Sequence, residues 1–160
     1  MSVLERRESL LVLAILVLIA AVTLRFPGFV APANLAAIVN DTAILIILAL
    51  GQTAVILTRS IDLSVAANLA FTGMAVAMLN EAHPALPLAL LIAVALLLGT
   101  ALGAINGLLV WRLEIPPIVV TLATLTIFRG MAFVISRGEW VNANEMTPAF
   151  LQMPRTVVLG

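Results

Sequence analysis

The chain of 160 residues contains no cysteine, which excludes disulfides and thiolate metal sites within it. Lysine is missing as well: all 8 basic residues are arginine, at Arg6, Arg7, Arg25, Arg59, Arg112, Arg129, Arg137 and Arg155. Scattered in this way they form no patch to hold nucleic acid, so no nucleic-acid partner is expected. Charge of either sign is scarce, with 10% of residues charged against about 25% in ordinary soluble domains. The formal net charge is zero. Catalytic signatures are lacking too. There is no His-Glu-x-x-His run, no Gly-x-Ser-x-Gly elbow and no phosphate-binding glycine loop with its lysine. The single histidine, His83, stands beside Pro84 in a loop, the setting of a solvent-facing side chain. Asp41, Asp62, Glu81, Glu114, Glu139 and Glu145 fall at segment ends or in loops, whereas an ion or proton pump needs acidic groups at mid-membrane. The chain is therefore read as neither an enzyme nor a pump.

What the chain does have is apolar residues, 63% of the total, grouped into long runs. Residues 9–24, 35–57, 63–79, 88–111 and 118–135 are the expected spans. The fold class that follows is all-α, a polytopic transmembrane helix bundle of about five spans. It forms one region over residues 1–160, surrounded by membrane lipid and without a soluble domain. The first run follows a short charged start, MSVLERRE, and has the length of a signal peptide. Arg25, Pro27 and Pro32 around the Ala31/Ala33 pair are poor surroundings for cleavage, so it is read as an uncleaved span. Residues 25–34, rich in proline and glycine, read as a loop. In the second run, the uncharged stretch 42–58 reaches about 25 Å at 1.5 Å per residue. That is short of a core of about 30 Å unless residues 35–41 are included with Asp41 at the interface.

The stretch 57–80 opens with Thr58, Arg59, Ser60 and Asp62 and then carries no further charge. Asp62 and Ser64 suit the first turn of a helix, where a side-chain oxygen takes a free N–H and a carboxylate complements the dipole. In the fourth run Gly99, Gly103 and Gly107 recur every four residues, a face on which a second helix packs closely in lipid. Trp111 ends that run in the headgroup zone. In the fifth, Arg129 lies near enough to the end for its stem to reach the headgroups. Arg6, Arg7, Arg59 and Arg112 outnumber Arg25 and Arg137 on alternate sides, which favours a cytoplasmic N-terminus. The polar groups inside the spans are neutral: Gln52, Thr53, Asn68, Thr72, Thr100, Asn106, Thr121, Thr124 and Thr126. They either bond helices together or line a path for a neutral, hydroxyl-rich solute. Gln52, Asn68, Asn106, Thr121 and Thr124 are the path candidates.

The run Ile61-Asp62-Leu63-Ser64-Val65 resembles the signature of sugar-uptake ABC transporter permeases of the ribose, xylose and rhamnose type. In the same order, Gly103, Asn106 and Gly107 resemble that family's Gly-x-x-Asn-Gly element. Pro116 and Pro117 with Ile118 to Leu122, including Thr121, resemble its Pro-Pro-hydrophobic-Val-Thr-Leu run, and Arg129-Gly130 its following Arg-Gly. The chain departs at Ala66, Ala67 and Asn68, where the family usually has Gly-Ser. That variant, with EWVNANEM over residues 139–146, is most like rhamnose-import permeases.

The resemblance implies a subunit of a bacterial inner-membrane importer, matching the front half of a roughly ten-span permease. Implied partners are a second permease copy or homologue, cytoplasmic ATP-binding subunits and a periplasmic sugar-binding protein. No cofactor is implied in this subunit; ATP and magnesium belong to the ATPase, whose docking helix is expected in the other half. The competing readings are a non-transporting scaffold that only packs partner helices, and an autonomous channel. The lack of a repeated charge ring argues against the channel.

Overall fold

Long apolar runs without internal proline become helices, and prolines mark where they start. In the computed structural model, which describes residues 3–153 and side chains from Glu8 onward, the helices are α1 (Val3–Arg25), α2 (Pro32–Leu57), α3 (Val65–Ala82), α4 (Leu88–Leu113), α5 (Pro117–Ser136) and α6 (Pro148–Gln152). Arg155 and the side chains of Arg6 and Arg7 lie outside the described residues. Among the described residues 5 helices are long and apolar enough to cross a membrane.

The boundaries differ from the expected spans at several ends, each for a local reason. The loop expected over residues 25–34 is shorter, because a 3₁₀ turn (Pro27–Val30) fills it and Pro32 opens α2. Proline suits the first helical position, where its missing N–H costs nothing. Asn34 is thus inside α2, and its Nδ2 donates back to Phe29 O at 2.7 Å. Helix α3 runs past residue 79 to Ala82, where the N–H of His83 still reaches Leu79 O at 3.0 Å. Pro116 and Pro117 open α5 in the same way as Pro32 opens α2.

The chain divides into two compact units, Met1–Ile46 and Ile47–Gly160. In the first, α1 leads through the 3₁₀ turn into the front of α2, and the Arg25 guanidinium lies 5.1 Å from the centre of the Phe26 ring. No residue of the apolar α1 span or of α2 is buried within this chain. Helices apolar on every side need lipid or further helices around them.

In the second unit α3 packs against both α4 and α5, and α4 against α5. Ala67 and Phe71 of α3 meet Leu102 of α4 and Phe128 of α5. Leu98, Leu125, Ala132 and Ile135 extend this core at helical spacing. At the far end Asn80, fully buried, clasps the segment after α5. Its Nδ2 donates to Thr147 Oγ1 at 3.0 Å and its Oδ1 accepts the Thr147 N–H at 2.9 Å. That segment is ordered further by Glu145, whose Oε2 accepts the Asn142 N–H at 2.6 Å.

Candidate functional site

The turn between α2 and α3 begins where α2 ends at Leu57. Helix α2 closes with the N–H of Ser60 on Val55 O (3.3 Å) and that of Arg59 on Ile56 O (2.9 Å). This is the Schellman pattern, and it places Arg59 in the left-handed region at φ 57°. Ser60 to Ser64 then run without helical structure until α3 starts at Val65.

Neighbouring helices hold this short stretch. Gln52 Nε2 of α2 donates to Asp62 O at 2.8 Å. The Thr121 hydroxyl of α5 lies 3.2 Å from Ile61 O and 2.8 Å from Pro117 O, and with one proton it serves one acceptor at a time. Asp62 Oδ1 accepts both the Ser64 N–H at 2.8 Å and the Ser64 hydroxyl at 2.7 Å. Asn106 Nδ2 of α4 donates to that same Ser64 oxygen at 2.7 Å.

The expected capping role of Asp62 and Ser64 is therefore corrected. Asp62 sits in the turn before α3 and closes a local Asx loop onto Ser64. Ser64 occupies the N-cap position with φ −84° and ψ −10° and makes no side-chain cap bond. Its hydroxyl donates to Asp62 and accepts from Asn106 instead of capping the free N–H groups of the first helical turn.

Behind the turn lies a cavity of about 500 Å³, within the roughly 300–1,000 Å³ of small-molecule sites. Ile61 and Asp62 line it from the turn, Gly103, Asn106, Gly107 and Trp111 from α4, and Pro117 and Thr121 from α5. Val55, Thr58, Ser60 and Val110 complete the wall. It lies toward the bundle end where α2 and α4 finish, with Val55, Thr58, Val110 and Trp111 in its lining. It extends to Gly103, about 15 Å along the axis from the end of α4, half the depth of a hydrocarbon core of about 30 Å.

Residues from three separated motif blocks thus share one wall. Ser64, Leu63 and Pro116 stand just behind or beside it without lining it, Ser64 being 1% exposed. Of the path candidates, Asn106 and Thr121 line the cavity; Gln52, Asn68 and Thr124 do not. Gln52 is bound to the turn as described. Asn68 Nδ2 donates to Gly99 O of α4 at 3.1 Å, and its Oδ1 accepts from Thr72. Thr124 is buried, with its hydroxyl returned to Val120 O of its own helix at 3.0 Å.

Two further expectations are refined. A Cβ built at Gly99 would touch Asn68 and Thr72 at 3.8 and 3.9 Å, whereas nothing lies within 4 Å of one at Gly103 or Gly107. Of these three, Gly99 alone meets a neighbouring helix among the described residues, and Gly103 and Gly107 line the cavity. Arg129 lines a different cavity of about 320 Å³ with Ala132, Phe133, Ser136, Glu139 and Trp140, on the face of α5 that leads to its end. Gly130 is exposed beside it. The residue that sequence reasoning passed over is Asn80. Its clasp to Thr147 spans 67 positions and leaves no local pattern.

Among known proteins, the chain is 39% identical over 159 residues to the autoinducer 2 import system permease protein LsrC of Enterobacter sp. (strain 638). That match covers 99% of this chain and 45% of the relative. It is 39% identical over 150 residues to the ribose import permease protein RbsC of Haemophilus influenzae, covering 92% of this chain and 46% of that protein. LsrC of Yersinia enterocolitica is 37% identical over 155 residues, 97% of this chain and 42% of the relative. The chain thus spans less than half the length of these curated relatives. No solved structure matches it. The relatives are permease subunits, transport components and not enzymes. The family described as branched-chain amino acid transport system / permease component matches residues 34–152, and the chain, a multi-pass membrane segment, belongs to it.

Proposed function

We propose that this chain is the front half of a permease subunit of an ATP-driven importer for a neutral, hydroxyl-rich solute. The observation that carries this reading is the cavity shared by Ile61-Asp62, Gly103-Asn106-Gly107 and Pro117-Thr121, blocks far apart in sequence. Apart from Asp62 its lining is uncharged, and it mixes apolar walls with a few hydroxyl and amide groups. Such a lining suits a sugar better than an ion. The names of the relatives add ribose and autoinducer 2 as solute types. Rhamnose is the finer proposal and rests on the sequence resemblance alone.

The subunit would work in the bacterial inner membrane with its N-terminus in the cytoplasm, so that the ends of α2 and α4 beside the cavity would lie toward the cytoplasmic side. A second permease copy or homologue would complete the pathway. Cytoplasmic ATPase subunits carrying ATP and magnesium would drive alternating access, and a periplasmic binding protein would deliver the solute. The test is to co-purify the complete subunit with its ATPase and to measure ATP turnover with the binding protein and rhamnose, ribose or autoinducer 2. Stimulation by one of them is expected; no complex and no stimulation by any of the three sinks the reading.

A further inference from the structure

The order of donors and acceptors in the turn decides how Asn106 presents its amide. The Asp62 carboxylate only accepts, so the Ser64 hydroxyl must donate to it, leaving the Ser64 oxygen as an acceptor. Asn106 can meet that acceptor only with its Nδ2, at 2.7 Å. Its Oδ1 is therefore forced the other way. That oxygen is buried and has no hydrogen-bond partner among the described residues, on a side chain 6% exposed that lines the cavity. A buried carbonyl without a donor is costly, and flipping the amide would set two acceptors against each other at Ser64. On the same helix, nothing lies within 4 Å of a Cβ built at Gly103 or Gly107, both of which line the same cavity.

We propose that Asn106 Oδ1 is the acceptor for one hydroxyl of the carried solute, with Ser64 and Asp62 as positioning residues that fix its aim. This rests on the transport reading above and names the atom that recognises the solute. The ligand class is a neutral polyol that brings a hydroxyl donor into the cavity. Oδ1 is shielded from bulk water, so a donor reaches it only when the side chains around it move aside.

The experiment is uptake by the full-length importer, reconstituted in liposomes with its ATPase and binding protein. The probes are labelled rhamnose and ribose and their monodeoxy analogues. For the unmodified importer one deoxy position is expected to lower uptake about tenfold. Asn106→Leu should lower uptake of the parent sugar by a similar factor and abolish the difference at that position alone. A purely structural role would lower all analogues together. Ser64→Ala, which leaves Asn106 in place but frees its amide to turn, should shrink the same difference about threefold. If both variants keep the unmodified ratio at every position, Asn106 holds only water and the proposal is overturned. If the unmodified importer carries neither sugar and is not driven by autoinducer 2, the transport reading itself fails, and this inference with it.

Discussion

At the scale of single residues, Asp62 is the clearest case of a local pattern with a non-local purpose. An acid and a serine just before a helix read as caps, because both have the short acceptor that caps need. The structure puts the carboxylate on Ser64 and ties Ser64 to Asn106, a residue 42 positions away. Both bonds from Ser64 run to Oδ1, the oxygen that asparagine retains. Asp62→Asn should then lose only charge assistance, under about 1 kcal/mol, whereas Asp62→Leu should lose both bonds, about 2–3 kcal/mol. Thermal unfolding of the two variants in detergent gives the comparison. If Asn unfolds as early as Leu, the bonds to Oδ1 are not what holds the turn. If Asn is stable but uptake collapses, the negative charge has a task in transport beyond holding the turn.

At the scale of elements, helix ends carry most of what was misplaced and most of what is testable. Helix α5 closes with the N–H of Gly138 on Phe133 O at 3.1 Å and that of Arg137 on Val134 O at 3.3 Å. Arg137 takes the left-handed region at φ 54°, and Gly138 follows at φ 79°. A Cβ on Gly138 would meet the Phe133 ring at 3.1 Å. Gly138→Ala should therefore cost about 1–2 kcal/mol, and Arg137→Gly should gain up to about 1 kcal/mol by relieving its positive φ. Opposite shifts of the unfolding midpoint are expected, and shifts of the same sign would contradict the cap geometry. The clasp of Asn80 on Thr147 makes a separate prediction. Asn80→Ala leaves the Thr147 N–H without its partner, costs about 2 kcal/mol, and should speed proteolysis within residues 139–147. An unchanged cleavage rate would show that the clasp does not order that segment.

At the scale of the whole molecule, the glycine stripe separates two meanings of one motif. Every-fourth glycine predicts close helix contact, and Gly99 has it through Asn68 and Thr72. Gly103 and Gly107 face the cavity instead. Gly103→Ala should be neutral or stabilising by up to about 1 kcal/mol, the ordinary helix preference. Gly103→Phe should fill the cavity and stop uptake by the full-length importer while leaving the subunit in the membrane. Destabilisation by alanine would mean that a helix packs at Gly103 after all.

Sequence alone determined that the chain is helical and where the helices approximately end, because apolar run length and proline position act within a few residues of chain. It also supplied the motif residues, whose types carry the hydrogen-bonding chemistry. Tertiary structure decided which of those residues meet. Asn106 and Thr121 reach the cavity, while Gln52, Asn68 and Thr124 are bound into helix contacts and turns. An amide or hydroxyl in an apolar span has to find a partner, and every such residue looks alike until its neighbours from other helices are in place. The direction of each hydrogen bond in the Asp62–Ser64–Asn106 chain then follows from one acceptor-only carboxylate, and that exists only once α3 and α4 are packed together.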